Sequence, residues 1–281
     1  MPALDQTLAP DNNAQRRSHS YILPVEDTEF LLRDEMRDIR FALEYQKAEL
    51  LLRDWGIRST IIVFGSARTA SPEQAAAAEA AAVSDEERAH AALLSRQSCR
   101  YEAAREFGRI VSERGGAFAP QKRWRDNVIA TGGGGGVMEA ANRGAHDVGA
   151  PSIGFNITLP GEQQPNPYIT PELCFRFHYF AMRKMHLAMR ANALVVFPGG
   201  FGTLDELFEI LTLAQTHKAP ALPIVLFGEQ YWRRLISFEV LAEEAMIGAK
   251  DLELFDFADS PEDAWRILLQ RGLHAHGGDG R

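Results

Sequence analysis

The sequence predicts an α/β protein with a doubly wound parallel sheet and an N-terminal helical extension. Three observations predict it. Short apolar runs recur between helical patterns, the runs are continuously apolar as strands covered on both faces are, and two of them end in glycine-rich turns that lead into helices. Strand, glycine turn and helix in succession imply right-handed crossovers, and so a Rossmann-like sheet whose ligands bind at the carboxyl ends of its strands.

Residues 1–20 are polar and aperiodic, as is the tail from His274, so both ends are expected to lack fixed structure. His274 and His276 accordingly read as tail residues before they read as metal ligands. From Asp27 to Trp55 the apolar residues Phe30, Leu31, Ile39, Leu43, Leu50 and Leu51 recur at roughly helical spacing, with Gly56 as a stop. This predicts a helical extension over 21–56. Strands follow at 59–64 (STIIVF), 127–130 (NVIA), 152–157 (SIGFNI), 193–197 (ALVVF) and 223–227 (PIVLF). The Ala-rich stretch from Glu73 to Ala82 is a helix, and SDEE from Ser84 is a capping box that starts another. The segment 70–100 is therefore read as a helical insertion in a nucleotide-binding domain spanning 57–272, with a tail at 273–281.

Composition narrows the function. The 281 residues are 46% hydrophobic, enough for one substantial core. The formal charge of -8 argues against a nucleic-acid partner, whereas a small anion needs one Arg and a few backbone N–H groups. The two cysteines, Cys99 and Cys174, make neither a disulfide framework nor a zinc site. No run is apolar enough for a membrane span and the N-terminus has no signal-peptide pattern, so a cytoplasmic protein without membrane partners is expected.

The first motif that carries chemistry is TGGGGGVMEAAN, where the strand 127–130 passes through Gly132, Gly133, Gly134, Gly135 and Gly136 into a helix beginning near Val137. Without Cβ atoms the backbone can approach an anion, and the helix N-terminus offers it unpaired N–H groups. The turn reads either as a phosphate cradle or as a tightly packed turn; it fits neither GxGxxG nor GxxxxGK[ST]. The second motif is PGGFGTLDELFE, again at a handover from strand to helix. Gly199, Gly200 and Gly202 free that turn, Thr203 is placed to cap the helix and donate to an anion, and Glu206 is expected in the first turn. A nucleotide lying across these two neighbouring turns is the expected arrangement. The third motif, FHYFAMRKMHLAMR, has Arg183 and Lys184 opening a helix that leads into the strand 193–197; alone it reads equally well as a surface charge pair.

Taken together, Arg183-Lys184 and, 23 residues on from Arg183, the Glu206 that ends PGGFGTLDE resemble the LONELY GUY (LOG) family, long labelled lysine decarboxylases. The likeness covers roughly residues 59–230. It takes in VFGSAR at 63–68 in place of the family's first strand and Gly-Ser turn (Gly65, Ser66), TGGGGG with Met138, and the RK and PGGxGTxxE motifs in full. The resemblance implies a Rossmann-like domain, assembly as a homodimer or larger homo-oligomer, and hydrolysis of the N-glycosidic bond of AMP or an N6-modified AMP. It places the essential Arg at Arg183 and the essential Glu at Glu206. The nucleotide-contacting loop falls on Gly200, Phe201, Gly202, Thr203, Leu204 and Asp205, with Lys184 beside the Arg and a further Thr at Thr212. On a helix Thr212 is about 240° further round than Glu206, so the two need not face one pocket. Compact plant-type members lack the helix at 27–55 and the 70–100 segment, and read RKAEM where this chain has RKMHL.

Cleaving a ribosyl C–N bond develops positive charge on the sugar. Glu206 is expected to stabilise that charge and to align or deprotonate the attacking water, and Arg183 to hold the phosphate or ribose through its planar fork. His178, His186 and Asp205 stand within sequence reach as proton donors to the leaving base. The stretch 159–168 (LPGEQQPNPY) reads equally as a lid, with Glu162 and Asn166 contacting base or ribose, or as a plain connector. A small-molecule nucleotide is the expected substrate, with no metal and no cofactor. Two other readings stand beside this one. The first is a non-catalytic nucleotide or molybdenum-cofactor carrier, whose fold shares the PGGxGT turn. The second is a pyridoxal-phosphate decarboxylase using Lys184, around which no pyridoxal-binding motif is found.

Overall fold

The computed structural model describes residues 11–117, 123–159, 164–218 and 222–274. Two compact units divide the chain, Met1–Gln46 and Lys47–Arg281. In the first, the helical turns α1 (Asn13–Arg16) and α2 (Thr28–Leu31) precede α3 (Arg37–Asp54), which runs on into the second unit. The single helix read from Asp27 to Trp55 is thus broken at Leu32–Arg33. Arg40 holds the break, its guanidinium donating to the carbonyls of Leu31 (2.8 Å) and Arg33 (2.6 Å). The C-terminal end of α3 is as the sequence predicts. Gly56 takes φ +70°, and the N–H groups of Gly56 and Ile57 turn back to the carbonyls of Arg53 and Leu52 (2.9 and 2.8 Å).

The second unit is built on seven strands: β1 (Thr60–Phe64), β2 (Val128–Thr131), β3 (Ser152–Ile157), β4 (Cys174–Phe177), β5 (Ala191–Val196), β6 (Ile224–Phe227) and β7 (Asp256–Ala258). They form one all-parallel sheet in the order β4-β3-β2-β1-β5-β6-β7. All five predicted runs are strands. The two edge strands were not predicted, because β7 is three residues long and β4 alternates, with Phe175 and Phe177 buried and Arg176 exposed.

The remaining helices are α4 (Pro72–Ala81), α5 (Asp85–Arg114), α6 (Val137–Asp147), α7 (Phe180–Met189), α8 (Phe201–Gln215), α9 (Glu229–Leu235), α10 (Phe238–Glu243) and α11 (Pro261–Gln270). Ser71 and Ser84 start α4 and α5 with full capping boxes. The helix that Ser84 starts does not stop at residue 100. It runs to Arg114 and forms the crossover from β1 to β2, burying Tyr101, Phe107 and Ile110 on the sheet. Strand side chains alternate between two cores: Ile61 and Val63 join α5, α6 and α11, whereas Ile62 and Phe64 join α7, α8 and Trp232. From β1 the chain winds outward to β4, and from β5 outward to β7 on the other side. The crevice at the carboxyl ends of β1 and β5 is therefore the topological switch point.

Candidate active site

A cavity of about 640 Å³ opens at that switch point. After β1 the chain turns through Gly65, Ser66, Ala67 and Arg68 along one wall; after β5 it turns at Pro198 and contributes every residue from Gly199 to Glu206. Phe64 at the end of β1, Phe180 and Arg183 of α7, Met138 of α6, and Tyr231 and Leu235 of α9 complete the lining. The turn after β1 is tied to both glycine-rich turns: the Ser66 N–H donates to the Pro198 carbonyl (3.0 Å), and the Ser66 carbonyl accepts from the Val137 N–H (3.1 Å).

Strand order corrects the expected placement of the first glycine turn. Because β1 lies between β2 and β5, the strands that lead into the 132–136 and 199–203 turns are not adjacent, and the turn after β1 stands between them. The backbone of 132–136 is packed rather than presented: the Asn166 amide donates to the carbonyls of Gly133 (3.3 Å) and Gly134 (3.0 Å), and the Asn156 side chain fills the space where a Gly133 Cβ would stand. Gly136, at φ +64°, sits where a Cβ would meet the Ser66 carbonyl oxygen at 2.2 Å. Gly133, Gly134, Gly135 and Gly136 therefore lie outside the cavity lining, to which this motif contributes Met138. Gly132 makes room for the Arg183 guanidinium, since a Cβ there would be 2.5 Å from Nη2. Asn166, read as a base or ribose contact, is buried by the turn it supports, and Glu162 lies outside the described residues.

On α8 the N-cap is Gly200 rather than Thr203. Thr203 instead occupies the space left by the missing side chain of Gly199, and Glu206 falls in the second turn, one turn later than expected. That extra turn carries Glu206 inward, to 4% exposure. Arg183, with 11% of its side chain exposed, donates from Nε to the Phe155 carbonyl (2.9 Å) and holds Nη1 at 3.7 Å from Glu206 Oε1. Burial dominates the electrostatics of both. It pushes the Glu206 carboxyl up to about 6, against the pull of Arg183 and Lys184, with Glu209 and Asp205 adding to the rise. Burial likewise lowers the Arg183 pKa, which Glu206 and Asp205 partly restore.

Other predicted residues point elsewhere. The Lys184 ammonium pairs with Asp205 (2.8 Å) and Glu209 (2.9 Å), and Lys184 does not line the cavity. Thr212 is exposed and donates its hydroxyl to the Phe208 carbonyl (2.7 Å). Lys184 and Thr212 share instead a shallow hollow on α8 with Phe201 and Phe208. His186 is buried against Phe155 and Phe177, and His178 packs edge-on against Tyr179, so of the three proposed proton donors Asp205 alone reaches the cavity. Sequence reasoning passed over Phe180, Tyr231, Leu235 and Arg68. The Tyr231 hydroxyl braces the second glycine turn by donating to the Gly199 carbonyl (2.7 Å), yet it comes from a different crossover and carries no local signal. Arg68 was visible as the last letter of VFGSAR.

Comparison with known proteins bears on this arrangement. Residues 138–268 match the family model described as "Possible lysine decarboxylase". A probable cytokinin riboside 5′-monophosphate phosphoribohydrolase of Oryza sativa subsp. japonica is 30% identical over 163 residues, 55% of this chain and 69% of that protein. A cytokinin riboside 5′-monophosphate phosphoribohydrolase of Arabidopsis thaliana is 28% identical over 182 residues, 58% of this chain and 82% of that protein. Among solved structures, a molybdenum cofactor binding protein of Rippkaea orientalis aligns with a TM-score of 0.47 at 21% identity, over 76% of this chain and 98% of that one. With Arg183 and the residues from Gly199 to Glu206 gathered around one cavity and a relative 30% identical over 69% of its length, the chain belongs to the LONELY GUY family.

Proposed function

We propose that the protein hydrolyses the N-glycosidic bond of purine nucleoside 5′-monophosphates, AMP or an N6-modified AMP, giving free base and ribose 5-phosphate in the cytoplasm. The observation that carries this reading is Glu206, a carboxyl buried on α8 yet facing the cavity with Arg183 at 3.7 Å. With a pKa near 6 it is mostly ionised at neutral pH. In that poorly solvated position its negative charge acts strongly on the oxocarbenium-like sugar and can take a proton from the attacking water. Arg183, fixed by the Phe155 carbonyl, orients the sugar against Glu206. The start of α8 supplies N–H groups and a positive dipole end to the phosphate. Asp205 reaches the cavity but is engaged by Lys184 (2.8 Å), so the proton that the leaving base takes up is the one Glu206 removes from the attacking water.

We assign the working form to a homo-oligomer. Phe201 is 91% exposed beside the cavity, and Phe208, Met185 and Met189 are exposed on α8 and α7. Such apolar exposure supports contact with a second copy, which would also bring Lys184 and Thr212 towards a shared site. The deciding experiment incubates the protein with a panel of monophosphates, nucleosides and triphosphates and detects free base by chromatography. Release of adenine from AMP is expected; its absence across the panel overturns the reading in favour of a carrier.

A further inference from the structure

We propose that Arg68 is the residue that grips the 5′-phosphate and so sets the preference for nucleotides over nucleosides, leaving Arg183 to the sugar. The inference rests on the substrate class proposed above. Charge accounting in the cavity leads to it. Among the described residues, four charged side chains line the space: Arg68, Arg183, Asp205 and Glu206. Arg183 already serves Glu206 and the Phe155 carbonyl, and Asp205 already holds Lys184. Among the described residues no ion pair engages Arg68, whose side chain is exposed. A phosphate dianion entering a cavity that holds the Glu206 carboxylate needs a positive charge that Glu206 does not already use. Arg68 is the one that meets this requirement.

Its position suits the task. Arg68 follows the end of the central strand β1, in a turn pressed on α6, where a Gly65 Cβ would meet Val137 at 2.6 Å. Its own N–H donates to Ser66 Oγ (3.1 Å), and Ser66 is in turn bonded to Pro198. The root of the side chain is therefore fixed while its head is free. Across the same cavity lies the start of α8, where the N–H groups of Phe201 and Gly202 have no acceptor within the helix. A phosphate between the two would take charge-assisted bonds from the guanidinium fork on one side and backbone donors on the other. A nucleoside offers neither charge nor phosphate oxygens to this pair.

The test measures binding of AMP, adenosine and inorganic phosphate by calorimetry to wild type, Arg68→Ala and Arg68→Lys, with base release from AMP and adenosine in parallel. Arg68→Ala is expected to weaken AMP and phosphate by about 10- to 100-fold and to lower the AMP-over-adenosine ratio of kcat/KM by a similar factor. Arg68→Lys should recover part of both. The pH profile of the residual turnover should stay in place, because Glu206 keeps its Arg183. Wild-type affinity for AMP in Arg68→Ala, equal losses for AMP and adenosine, or a wild type that binds neither AMP nor phosphate would overturn the inference. Arg68-dependent AMP binding without any base release would instead overturn the hydrolase reading and leave this one standing.

Discussion

At the scale of single residues, the proposed chemistry turns on a carboxyl, Glu206, whose burial outweighs the nearby cations. Glu206→Gln keeps the shape and removes the charge, so base release from AMP should fall by at least about a hundredfold while AMP still binds, as single-turnover chromatography and calorimetry would measure. If Glu206 acts as a carboxylate, kcat/KM should rise with pH through a midpoint near 6 and fall below it. The stability contribution runs the other way. A folded-state pKa raised above 4.5 makes the contribution complete below pH 4.5 and lost as the pH rises through about 6. Wild type should therefore lose stability relative to Glu206→Gln over that interval, which urea melts of both proteins at pH 4.5 and pH 7 would register.

At the scale of elements, α5 packs closely on α6, the helix that carries Met138. The two helices meet through glycines: a Cβ on Gly144 would lie 1.9 Å from the Arg105 carbonyl oxygen, and one on Gly108 would lie 2.3 Å from that of Ala141. Backbone cannot yield as a side-chain tip can. Gly144→Ala should destabilise the fold by about 1–3 kcal/mol, read as a lower urea midpoint at unchanged slope. Gly202→Ala is the matching comparison, since a Cβ there meets nothing within 4 Å and α8 should be no less stable for it.

At the scale of the whole molecule, the strand order brings Arg68, the start of α8 and Glu206 to one cavity at the switch point. The phosphate can thus position the ribose, and AMP should be hydrolysed on the order of a thousandfold better than adenosine, from two or three charge-assisted bonds of about 1.5–3 kcal/mol each. Matched kinetics on AMP and adenosine check this; equal rates would move the protein towards nucleoside hydrolases. If the exposed Phe201 face meets a second copy, Phe201→Asp should shift the protein to a smaller species in size-exclusion chromatography with light scattering.

The sequence by itself determined what short-range physics controls. Continuous apolar runs gave five central strands, because residues buried on both sides need no polar alternation; Ser71, Ser84 and Gly56 set helix ends through bonds to residues at most a few positions away; and RK with PGGxGTxxE marked Arg183 and Glu206. Only the tertiary structure decided the rest. Placing β1 between β2 and β5 is a choice among strand orders that no local pattern encodes, and it sets the turn after β1 against both glycine-rich turns and brings Arg68 to the cavity. The edge strand β4 was hidden by its half-exposed pattern, and Tyr231 by reaching Gly199 from another crossover. The pairing of Arg183 with Glu206 depends on how deeply α8 enters the core. Periodicity reports which face of a helix is buried, whereas depth and partner are set by packing between elements far apart in the chain.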